Sequence, residues 1–212
     1  AANMNKNSIT VGLDRDGTIN EDLGTYVTHP MQFKPIENSI EAVTLLRKKG
    51  YNIVVLTNQA GVSKGIMTTE EVAVVHDYML NLLGEAGCDS IDGIYYSHTS
   101  QKNDMFAKPN IGMFKKAESE CNLKFKGGFY VGDKLTDLKA AEKIGATPIL
   151  VRTGYGEETE KKLKKFTYKN LARKVMVFDN LWAFASSLPD PEIENAASKE
   201  IISSAGIKAS FV

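Results

Sequence analysis

Short apolar runs rich in β-branched residues alternate along this chain with longer segments whose apolar positions recur every three or four residues. The runs are 8–14, 51–58, 91–97, 127–133 and 147–153. Between them, residues 38–49 carry Ile40, Val43, Leu45 and Leu46 at helical spacing and end at Gly50. A second helix is predicted from Thr69 to Ala86, with Val72, Val75, Met79, Leu82 and Leu83 on one face and Gly87 as its stop. A third is expected to start at Pro109 and carry Met113, Phe114 and Ala117. A fourth runs through Leu138, Ala141 and Ile144 to Gly145. A Lys-rich stretch, 161–174, reads as a solvated helical face and loop, and 175–188 as a short edge strand followed by a closing helix. This alternation predicts an α/β fold: a doubly wound, Rossmann-like parallel sheet with helices on both faces and no large cap domain. Residues 1–189 form a single domain in this reading. The polar segment 190–212, with Ile193, Ala197 and Ile201 at helical spacing, is a docked helix or a tail.

The charge balance limits the partners. Twenty-six basic residues offset 26 acidic ones, so no bulk attraction to nucleic acid or to an anionic membrane is expected. The two cysteines, Cys88 and Cys121, form no CxxC pair and no disulfide framework. With a polar N-terminus, AANMNKNS, in which Met4 is a candidate start, a cytoplasmic monomer without a membrane span is expected.

In a doubly wound sheet, ligands bind beyond the carboxyl ends of the strands. Four groups of polar residues fall there. Asp14 and Asp16 leave the first strand two residues apart, in DRDGTIN. Carboxylates this close repel and call for a cation between them or for a shared proton. Mg²⁺, a hard ion that prefers oxygen ligands, suits that place. Asp14 can then attack phosphorus, while Asp16 protonates the leaving alcohol and later activates water. Alone, the pattern also describes an Asx-rich turn. Thr57, Asn58 and Gln59 close the second strand with groups able to hold phosphate oxygens, although turns use such residues for local hydrogen bonds as well. Lys108, before Pro109, can neutralise charge on a transferring phosphoryl group. Asp133 ends the fourth strand beside Lys134, where it can complete a metal shell or cap a helix, and Asp137 can orient its neighbours.

Together, DRDGT, TNQAG, KP and VGDKLTD resemble, in order, the four motifs of the haloacid dehalogenase (HAD) superfamily. The strings LDRDGTIN, LTNQAGV, DGIYYS, YVGDKLTD and LVRTG, within about 10–154, are similar to its D-glycero-D-manno-heptose 1,7-bisphosphate phosphatase branch, itself akin to histidinol-phosphate phosphatases. The resemblance implies a Mg²⁺-dependent phosphatase acting on a small phosphate ester through an aspartyl-phosphate. Asp14 would be the nucleophile and Asp16 the general acid/base. Mg²⁺ would be held by Asp14, the backbone carbonyl of Asp16, and Asp133. Thr57 and Lys108 would bind the phosphoryl group; Asn58, Gln59 and Lys134 would face the substrate; and residues 20–33 would close one side of the site.

The chain departs from that branch twice. Its segment 97–107, SHTSQKNDMFA, has no cysteine where many members carry a zinc loop, and His98 alone cannot make a tetrahedral zinc site, so no zinc is expected. Ala107 stands where the branch places an arginine for a distal phosphate, which implies weaker selection for a bisphosphate. Other readings are a histidinol-phosphate phosphatase, a nucleic-acid 3′-phosphatase, which would need a basic groove, and a non-catalytic receiver-like module, which would not need Asp16.

Overall fold

A computed structural model describes residues 9–190. The N-terminal residues and the expected terminal helix or tail beyond Asp190 lie outside them. Six parallel strands form one sheet in the order β3-β2-β1-β4-β5-β6: β1 Thr10–Leu13, β2 Asn52–Asn58, β3 Gly93–Ser97, β4 Phe129–Gly132, β5 Thr147–Val151 and β6 Met176–Phe178. The helices are α1 Ser39–Lys48, α2 Thr69–Glu85, α3 Gly112–Cys121, α4 Leu135–Ile144, α5 Gly156–Leu163, α6 Lys169–Ala172 and α7 Leu181–Ser187. The doubly wound α/β architecture is the one expected.

The sheet sorts its residues by the two-residue period of a strand. Val11, Leu13, Ile53 and Val55 pack against α1, α2 and α7, with Leu46, Val75, Met79 and Phe184. Val54, Leu56 and Tyr130 point the other way, into Phe114, Phe125, Ala140 and Ala141 of α3, α4 and the loop between α3 and β4. Gly12 makes room on that second face: a Cβ there would lie 2.7 Å from the Tyr130 ring. The phenol therefore lies across β1 and reaches the carboxyl end of β2, where its hydroxyl donates to Leu56 O at 2.6 Å.

Helix starts follow local chemistry. Thr68 and Glu71 form a reciprocal capping box at α2, at 3.1 and 2.9 Å. The Asp137 carboxylate reaches back to the backbone N–H of Asp133 and Lys134 and so caps α4. Two boundaries differ from the sequence reading. α3 begins at Gly112, not Pro109, because residues 102–111 first fold on themselves: Asn110 Nδ2 donates to Lys102 O and Asp104 O, each at 2.8 Å. α5 begins upstream of the Lys-rich stretch, with Glu157 and Glu158 in its first turn and Lys161 and Lys162 in its last, the arrangement that the helix dipole favours. Among the described residues no helix is long and apolar enough to cross a membrane.

Candidate active site

The first crossover from β1 goes to β2 on one side, and β4 joins β1 on the other, so a crevice opens at the carboxyl ends of these three strands. Asp14 follows β1 and extends the ladder by donating its N–H to Val131 O at 2.9 Å. Thr57 and Asn58 end β2, and Asp133 follows β4. Lys108 arrives from the loop before α3, tied by Asn58: its N–H donates to Asn58 Oδ1 at 3.0 Å and its carbonyl accepts from Asn58 Nδ2 at 3.2 Å.

Asp14, Asp133 and Asp137 bring carboxylate oxygens within 4.8 Å of one another, all buried. Lys108 Nζ, itself buried, donates to Asp14 Oδ1 at 2.9 Å, Asp137 Oδ1 at 2.7 Å and Tyr130 Oη at 2.8 Å. The opposing carboxylates, Asp137 first, outweigh burial and hold its ammonium above the ordinary lysine range. Yet three carboxylates face Lys108 and the half-exposed Lys134, so negative charge is left over. Burial, then repulsion from Asp137, pushes Asp14 up to about 6 in spite of its lysine. Burial, then repulsion from Asp14 and from Asp137, raises Asp133 well above the carboxylate range.

The hydrogen bonds show where a cation fits. Asp137 is paired at both oxygens. Asp14 takes its bonds, from Lys108 and from the Arg15 N–H, on Oδ1. Asp133 Oδ2 accepts from Tyr155 N–H at 2.9 Å, but its Oδ1 is buried with no partner. Gly17 and Gly154, both at positive φ, close over this carboxylate where a Cβ would collide with Oδ2. A buried, orphaned carboxylate oxygen beside Asp14 is a donor set that fits Mg²⁺.

Asp16 belongs to a second network. Its Oδ1 accepts from Asn20 Nδ2 at 2.8 Å and from Arg15 Nη2 at 3.0 Å, and its Oδ2 accepts from Gln59 Nε2 at 2.9 Å. Burial works to raise its pKa, but the Arg15 charge and these hydrogen bonds prevail and hold it below the ordinary range. Arg15 is fully buried, and its Nη1 lies 3.1 Å from His76 Nε2 on α2.

A family model described as HAD-hydrolase-like matches residues 105–183. A D-glycero-D-manno-heptose-1,7-bisphosphate 7-phosphatase of Chlorobaculum tepidum is 38% identical over 160 residues, 69% of this chain and 80% of that protein. The chain belongs to the HAD-type phosphatases. A D-glycero-beta-D-manno-heptose-1,7-bisphosphate 7-phosphatase of Neisseria meningitidis serogroup A is 35% identical over 186 residues, 87% of this chain and 95% of that one. The crystal structure of D,D-heptose 1.7-bisphosphate phosphatase from B. bronchiseptica, complexed with magnesium and phosphate, superposes with a TM-score of 0.75 at 26% identity, covering 90% of this chain and 99% of that chain.

In this HAD phosphatase the fold brings Asp14, Thr57, Lys108 and Asp133 to one crevice. The Asp16 side chain sits beside them among Arg15, Asn20 and Gln59, and not in the carboxylate cluster, where Asp137 takes a place instead. Gln59 Nε2 also donates to Thr57 Oγ1 at 2.9 Å, which links the two networks. Both ends of the Asn58 amide are engaged by Lys108. Lys134 lies at the mouth, 3.6 Å from Asp22 Oδ2 and over the Tyr155 ring. Segment 20–33 forms a strap: Glu21 N–H donates to Lys34 O at its neck, and buried Val27 and Phe33 pin it, Phe33 edge-on to Tyr78 of α2. Sequence reasoning left out Arg15, Asn20 and His76. The available signal for His76 was a titratable residue on the apolar stripe Val72, Val75, Met79 and Leu83.

Proposed function

We propose that this HAD phosphatase hydrolyses a heptose 1,7-bisphosphate or a closely related sugar phosphate with Mg²⁺, through an aspartyl-phosphate on Asp14. One observation carries the reading: Asp14 stands at the carboxyl end of β1 with Oδ1 fixed by Lys108, beside a buried Asp133 oxygen that has no partner. The free oxygen of Asp14 attacks phosphorus, and the bond from phosphorus to the sugar oxygen breaks. Asp16, which must first take up a proton as the dianionic phosphate enters, gives it to that oxygen, then takes one from the water that attacks the aspartyl-phosphate, which releases phosphate and restores Asp14. Lys108 and Thr57 hold the phosphoryl oxygens, and Asn58 contributes by fixing the lysine's loop. Gln59 orients Asp16, and Lys134 meets the substrate at the mouth. Asp14, Asp133 and the Asp16 carbonyl would hold Mg²⁺, whose charge lets a dianionic phosphate approach the carboxylates.

The relatives' names supply the heptose bisphosphate. Ala107 supports a wider range: its side chain is fully buried and offers no donor to a distal phosphate. A charged hydrogen bond of that kind contributes about 1.5–3 kcal/mol, so its loss weakens selection by roughly one to two orders of magnitude. The enzyme is read as a cytoplasmic monomer that needs no zinc and no nucleic-acid partner.

Phosphate release with Mg²⁺ tests this. Heptose 1,7-bisphosphate should be turned over, with kcat/KM within about a hundredfold of that for the 7-phosphate. Asp14→Asn should keep the far-UV circular dichroism and lose turnover. Appreciable turnover by that variant would remove the covalent mechanism, and a larger preference for the bisphosphate would show that another residue binds the distal phosphate.

A further inference from the structure

We propose that His76, on α2 and outside every motif of the site, is a positioning residue: its imidazole holds the Arg15 guanidinium, and through it the Asp16 carboxylate, where proton transfer to the leaving oxygen requires it. This rests on the reading of Asp16 as the acid/base.

The guanidinium is buried and held from three elements. Nε and Nη2 donate to Asp16 at 3.1 and 3.0 Å, and Nη2 also reaches Gln59 Oε1 at 3.3 Å. Nη1 has His76 Nε2 as its one hydrogen-bond partner among the described residues, at 3.1 Å. A guanidinium only donates, so Nε2 must carry a lone pair and the imidazole proton sits on Nδ1. Burial and then the Arg15 charge keep the ring neutral, with a pKa near 3. The ring is fixed in turn: Tyr96 lies edge-on at 5.9 Å, and His98 stacks on Tyr96 at 5.2 Å. An apolar residue would fill this place on the α2 stripe but would leave Nη1 buried and unpaired. The planar fork would then lose its anchor on α2 and keep only its bonds to Asp16 and Gln59, so Asp16 would be held less firmly.

The leaving group reads this out. A sugar 7-phosphate expels a basic alkoxide that needs the Asp16 proton, whereas 4-nitrophenyl phosphate expels a phenolate that does not. Wild type, Asp16→Asn, His76→Met and His76→Gln are compared on both esters with Mg²⁺. Glutamine places an amide oxygen near the Nε2 position; methionine has the same length without that acceptor. His76→Met should lower kcat on the sugar ester about 10–100-fold, part of the 10²–10⁴ that general acid catalysis contributes, with KM little changed. It should leave the nitrophenyl ester within about threefold of wild type, and His76→Gln should restore the sugar ester to a similar margin. Asp16→Asn should show the same selective loss, larger. If methionine prevents folding, His76→Asn, whose shorter amide falls short of Arg15, takes its place. Equal losses on both esters, or the same loss in the glutamine variant, would overturn the positioning role while the phosphatase reading stands. A wild-type protein that hydrolyses neither ester, or an Asp16→Asn without selectivity, would overturn the role of Asp16 and this inference with it.

Discussion

His76 shows what burial beside a fixed charge does to one residue. An unfolded histidine titrates near 6.5, and His76 in the fold titrates at about 3, through burial and the Arg15 charge. Between these values the unfolded chain binds a proton that the folded chain rejects. The contribution of His76 is therefore complete above about pH 6.5 and falls by up to about 1.4 kcal/mol per pH unit on acidification toward 3. Asp14, raised to about 6, and Asp133 act in the opposite sense, since the fold binds their protons more tightly. Wild type must therefore be compared with His76→Gln. Urea unfolding between pH 7 and 4 should show wild type losing stability more steeply; parallel curves would contradict the neutral, buried imidazole. The contrast with Asp14 also explains which residues were legible. Asp14, Asp133 and Thr57 stand at strand ends, where chain position alone places them at the crevice, whereas Lys108, in the loop before α3, was legible only from the order of the motifs. Arg15 and His76 are 61 residues apart, and only the packing of α2 on the sheet brings them together.

At the scale of elements, the strands and most helices followed from periodicity, because burial on both faces leaves residues 11–13 of β1 and 53–56 of β2 continuously apolar. The loop before α3 did not. Pro109 signals a helix start, but Asn110 spends its amide on Lys102 O and Asp104 O, Phe106 N–H donates to Asp104 Oδ1 at 2.8 Å, and Gly112 N–H donates to Met105 O at 2.9 Å. These bonds close the loop, and they present Lys108. Asn110→Ala removes two of them and should cost about 1–3 kcal/mol of stability, at about 0.5–1.5 kcal/mol per hydrogen bond. Phosphate release should fall as the lysine's loop loosens. A zinc-selective chelator should leave the thermal midpoint of wild type unchanged. A drop comparable to that of Asn110→Ala would show that a metal, and not these hydrogen bonds, holds the loop.

For the whole molecule, the order β3-β2-β1-β4-β5-β6 puts the carboxylate cluster at the ends of the two central strands, so any charge imbalance there bears on the stability of the entire sheet. Among the described residues, Asp14, Asp133 and Asp137 crowd together with Lys108 as the one buried cation paired with them, and Asp133 Oδ1 has no partner. Without a cation the fold bears that repulsion. With Mg²⁺ bound only to the folded state, stability rises by RT ln(1 + [L]/Kd), about 2.7 kcal/mol at a hundredfold excess over Kd. For a chain of this size that corresponds to roughly 5–10 °C in the thermal midpoint, at about 2–4 °C per kcal/mol. Asp133→Asn should reverse the pattern. Removing one charge relieves the repulsion, so in a metal chelator the variant should melt at or above wild type, although its amide also enters a buried site. Its gain from Mg²⁺ should shrink to a small fraction of the wild-type gain, because the orphaned anionic oxygen is gone. The two proteins should therefore change rank as Mg²⁺ is added. Calorimetric scans in chelator and in millimolar Mg²⁺ measure both effects at once. Equal Mg²⁺ gains in the two proteins would mean that the ion stabilises the fold elsewhere, and that the unpartnered oxygen of Asp133 is not its ligand.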